Sequence, residues 1–119
     1  MNTPSELKES LARCRQISLT VTGRKSGKTI TLPVWHVLDG NHLYLVHGSE
    51  THWYRNVLNN PRIRVNARGG VEVELRAKPI GQVNAIESLV EKFRDKYGSQ
   101  EVKRHYSKFD VAISASIEP

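Results

Sequence analysis

Val71-Glu72-Val73-Glu74-Leu75-Arg76-Ala77-Lys78 alternates apolar and charged residues without a lapse. Successive side chains of a strand point to opposite faces, so this stretch is a strand with one dry face and one wet face. The same period of two runs through Gln16 to Thr22, Thr29 to Leu38, His42 to His47 and Arg62 to Arg68. It returns at Phe109, Val111, Ile113, Ala115 and Ile117. Asp39-Gly40 reads as the two-residue link of one hairpin and Gly69-Gly70 as that of another. Links this short imply antiparallel neighbours. The expectation is a mostly β fold with added helices, its antiparallel strands forming a barrel closed on itself, which removes exposed sheet edges.

Helices fall between the strands. Thr3-Pro4-Ser5-Glu6 has the form of a capping box with proline at the first helical position, and Leu7, Leu11 and Cys14 follow at helical spacing. Ser49 to Leu58 predicts a short helix capped by Ser49 and stopped by Asn60-Pro61, with Trp53, Val57 and Leu58 facing inward. Asn84 with Glu87 makes a second capping box, and Ile86, Leu89, Val90, Phe93 and Tyr97 form an apolar stripe that Gly98 ends. Ser99 is placed to cap a further helical segment through about Tyr106.

A chain of 119 residues has the length of one domain with one core, and residues 1–119 are read as a single domain. Cys14 is the only cysteine, so no intramolecular disulfide forms, and no Cys/His pattern of a zinc site is present. His36, His42, His47 and His52 lack carboxylates or cysteines at a spacing that would complete a metal set, and no metal is expected. Met1 to Glu6 has neither a basic n-region nor an apolar h-region, and no apolar run reaches the ~18 residues of a membrane span. A cytoplasmic protein without membrane insertion is expected.

Lys and Arg number 18 against 12 Asp and Glu, a formal charge of +6 that calls for an anionic partner. Nucleic acid binding on a sheet face needs aromatics interleaved with the cations. Arg62, Arg64, Arg68, Arg76 and Lys78 have none among them, so they read as a solvated basic surface, and no nucleic acid partner is expected. No Ser/His/Asp or Cys/His set is visible, and no carboxylate pair is placed for glycoside hydrolysis. A cofactor that carries the chemistry itself needs no such set.

Thr22-Gly23-Arg24-Lys25-Ser26-Gly27-Lys28-Thr29 is the densest chemical signal in the chain. It is not a nucleotide-binding P-loop, because Gly23 and Gly27 enclose three residues where that motif needs four, and a strand follows instead of a helix. Two glycines still allow a bend that gathers backbone N–H groups, while Arg24, Lys25 and the Ser26 hydroxyl add charge and donors. Such a bend suits a phosphate dianion; the alternative is a solvated hairpin tip.

The order of the pieces narrows this. After the Gly23-Arg24-Lys25-Ser26-Gly27 turn come Pro33-Val34-Trp35, Asp39-Gly40, Trp53-Tyr54-Arg55-Asn56 and Asn60-Pro61. This succession, over residues 17–68, resembles the deazaflavin-dependent nitroreductase family of the flavin and deazaflavin oxidoreductase superfamily. The resemblance implies a split antiparallel β-barrel of the pyridoxamine-phosphate-oxidase-like kind, commonly a homodimer, holding coenzyme F-420 beside the barrel, with FMN as the alternative. It implies that Arg24, Lys25, Ser26 and Gly27 hold the phosphate, that Pro33, Val34 and Trp35 lie along the ring, and that His52, Trp53 and Asn56 cover it. The segment Val46 to His52 is shorter than in many members and lacks their lysine. The implied activity is hydride transfer from a reduced deazaflavin or flavin to a small electron-poor acceptor such as a quinone, a nitro compound or an activated alkene, with no catalytic side chain assigned. The reading from another class is a non-catalytic module that binds a flavin, a deazaflavin or haem.

Overall fold

The alternating stretches form seven strands rather than six in the computed structural model, which describes residues 4–47, 51–67, 71–105 and 110–117. In chain order the elements are α1 (Pro4–Arg13), β1 (Ile17–Thr22), β2 (Thr29–Val34), β3 (Val37–Asp39), β4 (His42–His47) and α2 (His52–Asn59). They continue with β5 (Arg62–Ala67), β6 (Val71–Ile80), α3 (Val83–Tyr97), α4 (Ser99–His105) and β7 (Val111–Ser116). The extra strand arises because the stretch from Thr29 to Leu38 breaks at Trp35-His36. There the His36 N–H donates to the Tyr97 phenol oxygen at 3.0 Å, and the same hydroxyl lies 2.9 Å from the His36 carbonyl. Backbone groups that would have continued a ladder are bonded to a side chain instead.

All pairings are antiparallel, and the sheet order is β2-β1-β5-β6-β7-β4-β3. The expected closed barrel is therefore corrected to a split one. β2 and β3 stand at the two ends of the order, joined through Trp35-His36 and by no ladder among the described residues. The curl comes from β6, a long strand that changes partner midway: Val71 to Arg76 pair with β5, and Ala77 to Ile80 pair with β7.

Burial divides the interior into two cores where the sequence suggested one. Inside the curl, Ile17, Leu19 and Val21 of β1 pack with Ile63 and Val65 of β5 and Ile113 of β7, closed over by Leu11 from α1 and by Trp53 and Val57 from α2. On the outer side of the other half, the α3 stripe of Ile86, Leu89, Val90, Phe93 and Tyr97 covers Val37, Val46 and Ala112. β7 buries Ala112 on one face and Ile113 and Ala115 on the other, since it has a core on each side.

Several boundaries move. The hairpin link is Gly40-Asn41, because Asp39 still pairs with His42; Gly40 supplies the positive φ of 62° that such a link requires. The N-cap of α2 is Thr51, and that of α3 is Gln82. The Ile86 N–H donates to the Gln82 carbonyl at 3.0 Å, so α3 starts ahead of Asn84, which lies inside it with Glu87. Ser99 is the first residue of α4 rather than its cap. Leu58 points outward at 53% exposure, because Trp53 and Val57, four residues apart, take the core-facing stripe of α2. Gly98 does end α3. Thr3, Ser49, Arg68, Gly69-Gly70, Tyr106 and Phe109 lie outside the described residues. Among the described residues no helix is long and apolar enough to cross a membrane, and no group of three or more His, Cys, Asp or Glu side chains is placed to hold a metal.

Candidate active site

The β1–β2 ladder ends at the pair Thr22 and Thr29, which leaves Gly23 to Lys28 as the connection. The Gly23 N–H donates to the Lys28 carbonyl at 2.8 Å, the Gly27 N–H to the Gly23 carbonyl at 2.9 Å, and the Lys28 N–H to Ser26 Oγ at 3.2 Å. The turn thereby folds back on itself. A Cβ on Gly23 would stand 3.1 Å from Ser26 Oγ and 3.2 Å from the Lys28 carbonyl oxygen, and Gly27 has a φ of 73°. Gly27 needs glycine for its left-handed backbone, and at Gly23 a Cβ would crowd the Ser26 hydroxyl and the Lys28 carbonyl, which would have to give by a few tenths of an ångström.

Helix α2 grips this turn from one side. Asn56, buried at 3% exposure, accepts two bonds on Oδ1, from the Arg24 N–H at 3.1 Å and from Arg24 Nη1 at 2.8 Å. Arg24 Nη1 also reaches the His52 carbonyl at 3.5 Å. His52 and Asn56 are four residues apart and so share the helix face that meets the turn. Among the described residues the backbone N–H groups of Lys25 and Ser26 and the Lys25 ammonium make no hydrogen bond or ion pair. The unengaged donors of the bend are thus concentrated at two adjacent residues.

Between turn and helix lies a depression of about 260 Å³. Gly23, Arg24, Lys25 and Ser26 line it from the turn, His52 and Asn56 from α2, and Ile30 from β2. Among the described residues no carboxylate lines it, and Arg24 and Lys25 bring positive charge to it. Five of the expected site residues meet here: Arg24, Lys25, Ser26, His52 and Asn56. Gly27 shapes the turn without lining the depression, and Pro33 lies exposed further along β2.

Three others are elsewhere. Val34 is buried in the inner core. Trp53 is there too, 6% exposed and edge-on to Tyr54 with ring centroids 6.4 Å apart. Trp35 lies against the outer core, stacked on Tyr97 with centroids 4.2 Å apart and planes within 4°. Neither indole is among the residues that line the depression. Ile30 carries the exposed apolar surface there instead, at 45% exposure.

The residue that sequence reasoning undervalued is Tyr97. Its ring belongs to the α3 stripe, but its hydroxyl, 2.7 Å from the Arg15 carbonyl, also fixes the Trp35-His36 link. Burial pushes this phenol up, against the opposing effects of its bond to His36 and the charge of Arg15. No spacing rule signals such a role, because its partners come from distant parts of the chain.

A sheet left open between its terminal strands is a split barrel, the fold shared with a putative pyridoxamine 5'-phosphate oxidase from Listeria innocua that is 18% identical over 94% of this chain and 90% of that one, with a TM-score of 0.71. Solved structures of this shape include the F420-H2 dependent reductase FDR-A, 21% identical over 86% of this chain and 94% of that one, with a TM-score of 0.64. An F420 reductase is 20% identical over 92% and 90% of the two chains, with a TM-score of 0.67. An FAD-binding protein from Mesorhizobium loti is 17% identical over 99% and 90%, with a TM-score of 0.71. No curated protein sequence matches. Residues 1–115 match the F420H(2)-dependent quinone reductase family, and the chain belongs to that family. It is an oxidoreductase, and its cofactor is coenzyme F-420.

The residues present fit that coenzyme at its phosphate. Among the described residues two unengaged amides, an ammonium and a hydroxyl stand at the adjacent positions Lys25 and Ser26, donors of the kind a phosphate takes. Beside them Ile30 gives the outer strand β2 an exposed apolar side chain at the depression, while Pro33, three residues on, points to the strand's other face.

Proposed function

We propose that this chain is a reductase that holds reduced F-420 by its phosphate on the Gly23–Gly27 turn and serves a small electron-poor acceptor. Quinones are the foremost class, with nitro compounds and activated alkenes beside them. The coenzyme, when bound, supplies the hydride. The protein's part is to bind and orient it: Lys25, the Lys25 and Ser26 amides and the Ser26 hydroxyl hold the anion, while Asn56 keeps the turn against α2. The observation that carries this reading is the Asn56 clip, which fixes the backbone of Arg24 and leaves the next two residues' donors unengaged.

A depression of about 260 Å³ is smaller than the ~300–1,000 Å³ of sites that enclose a small molecule. That supports a homodimer in which a second copy completes the wall around the ring, and the reading places the reductase in the cytoplasm. The purified protein, mixed with reduced F-420 and a panel of quinones, should reoxidise the coenzyme with loss of the quinone and elute as a dimer. Binding of F-420 without turnover of any acceptor would replace the reductase by a carrier.

A further inference from the structure

A second cavity, of about 560 Å³, shares no lining residue with the depression at the basic turn. It opens where β6 changes partner. The Ala77 N–H there donates to the Pro61 carbonyl at 2.8 Å, and β6 continues beyond the start of β5. Val57, Leu58, Pro61, Ala77 and Pro79 line the cavity with hydrocarbon. A single exposed leucine such as Leu58 is ordinary on a protein surface. What distinguishes this one is the charge around it.

Arg76 and Lys78, on one face of β6, line the same cavity, with His42, Ser114 and Ser116 opposite them. Arg76 also stands directly across from Arg62 in the β5–β6 register, and like charges so placed repel. Elsewhere on these strands the sheet neutralises its own cations, since Arg64 Nε lies 3.0 Å from Glu72. Among the described residues Arg62, Arg76 and Lys78 have no ion pair, and no carboxylate lines the cavity. Glu74 lines a separate depression with Arg62 and Arg64 and pairs with neither.

We propose that this cavity is a ligand site for a small amphipathic anion, an apolar body of roughly ten carbons ending in one carboxylate, a size that suits such a volume. The body lies along Leu58, Pro61 and Pro79. The carboxylate sits between Arg76 and Lys78, where it relieves the repulsion with Arg62, and the hydroxyls of Ser114 and Ser116 can donate to it.

Titration of the full chain with decanoate, below its micelle-forming concentration, tests this against decanol as the neutral match. Decanoate should bind roughly tenfold more tightly than decanol, as expected for charge-assisted hydrogen bonds. Its binding should shift the amide resonances of Leu58, Arg76, Lys78 and Ser114 and leave those of Lys25 and Ser26 in place. The double variant Arg76→Gln, Lys78→Gln should lose that advantage while keeping its affinity for decanol and its melting temperature. Failure of decanoate to bind, equal binding of decanoate and decanol, or an undiminished affinity in the double variant would overturn the proposal. So would shifts centred on Lys25 and Ser26. If Leu58→Glu converts a dimer into a monomer and decanoate never binds, the cavity is an interface between copies, and the proposal fails.

Discussion

At the scale of single residues, the two cations of the basic turn do different things. Arg24 is bound through its amide and its guanidinium to buried Asn56, so it holds the turn in place. Lys25 is exposed and unengaged. Asn56→Ala removes the acceptor for both donors and should cost about 1–3 kcal/mol of stability, together with affinity for F-420. Lys25→Ala should leave the urea midpoint unchanged and weaken F-420 roughly tenfold, the worth of one charge-assisted bond. Calorimetric titration beside urea unfolding separates the two, and unchanged affinity in Lys25→Ala would move the phosphate elsewhere. His36 gives a pH dependence. It is fully buried, its Nε2 lies 2.8 Å from the Leu11 carbonyl, and burial, with a smaller contribution from the charge of Lys96, lowers it to about 4 from 6.5. The unfolded chain therefore takes up a proton at higher pH than the folded one. This contribution to stability is complete above pH 6.5, declines as the pH falls, and is lost by about pH 4. The loss amounts to roughly 3 kcal/mol. Urea unfolding of His36→Gln across that range should show a shallower decline than the unaltered protein, and an equal decline would assign the acid sensitivity to other groups.

At the scale of elements, α2 presents three surfaces at once. His52 and Asn56 meet the turn, Trp53 and Val57 enter the inner core, and Leu58 borders the second cavity. Trp53→Ala should cost about 3–5 kcal/mol, as for other large side chains removed from a core. Leu58→Ser should stay within about 0.5 kcal/mol. Thermal and urea unfolding decide between this division and one in which Trp53 stands at the coenzyme's edge, where its removal would leave stability intact. The strands were legible in the sequence because a sheet with one buried face writes its period into the chain, as at Val71 to Lys78. The same reasoning placed Arg24, Lys25 and Ser26 in one turn. It could not see that Asn56 holds that turn or that Tyr97 interrupts the strand after Val34, since those contacts span 32 and 61 residues. The capping pair Asn84 and Glu87 misled for a related reason: the helix begins where β6 releases the chain, whatever caps lie downstream.

At the scale of the whole molecule, two cores share one curled sheet, and β7, with an apolar side chain toward each, belongs to both. The expectation of a closed barrel rested on the usual need to hide strand edges. Here β2 and β3 remain as ends of the sheet order, and the resemblance to split-barrel enzymes, not the periodicity, indicated that they would. The excess of positive charge is likewise distributed in a way composition could not reveal, partly in the basic turn and partly around the cavity beside Leu58.

The link at Trp35-His36 means that the first and last rungs of this ribbon are buckled together by one phenol from α3. Loosening the buckle should release both rims at once, although they lie at opposite ends of the ladder. In Tyr97→Phe, amide hydrogen exchange should quicken in Thr31 and Leu32 and in Val37 and Leu38 alike; faster exchange on one side alone would mean that the rims fray independently.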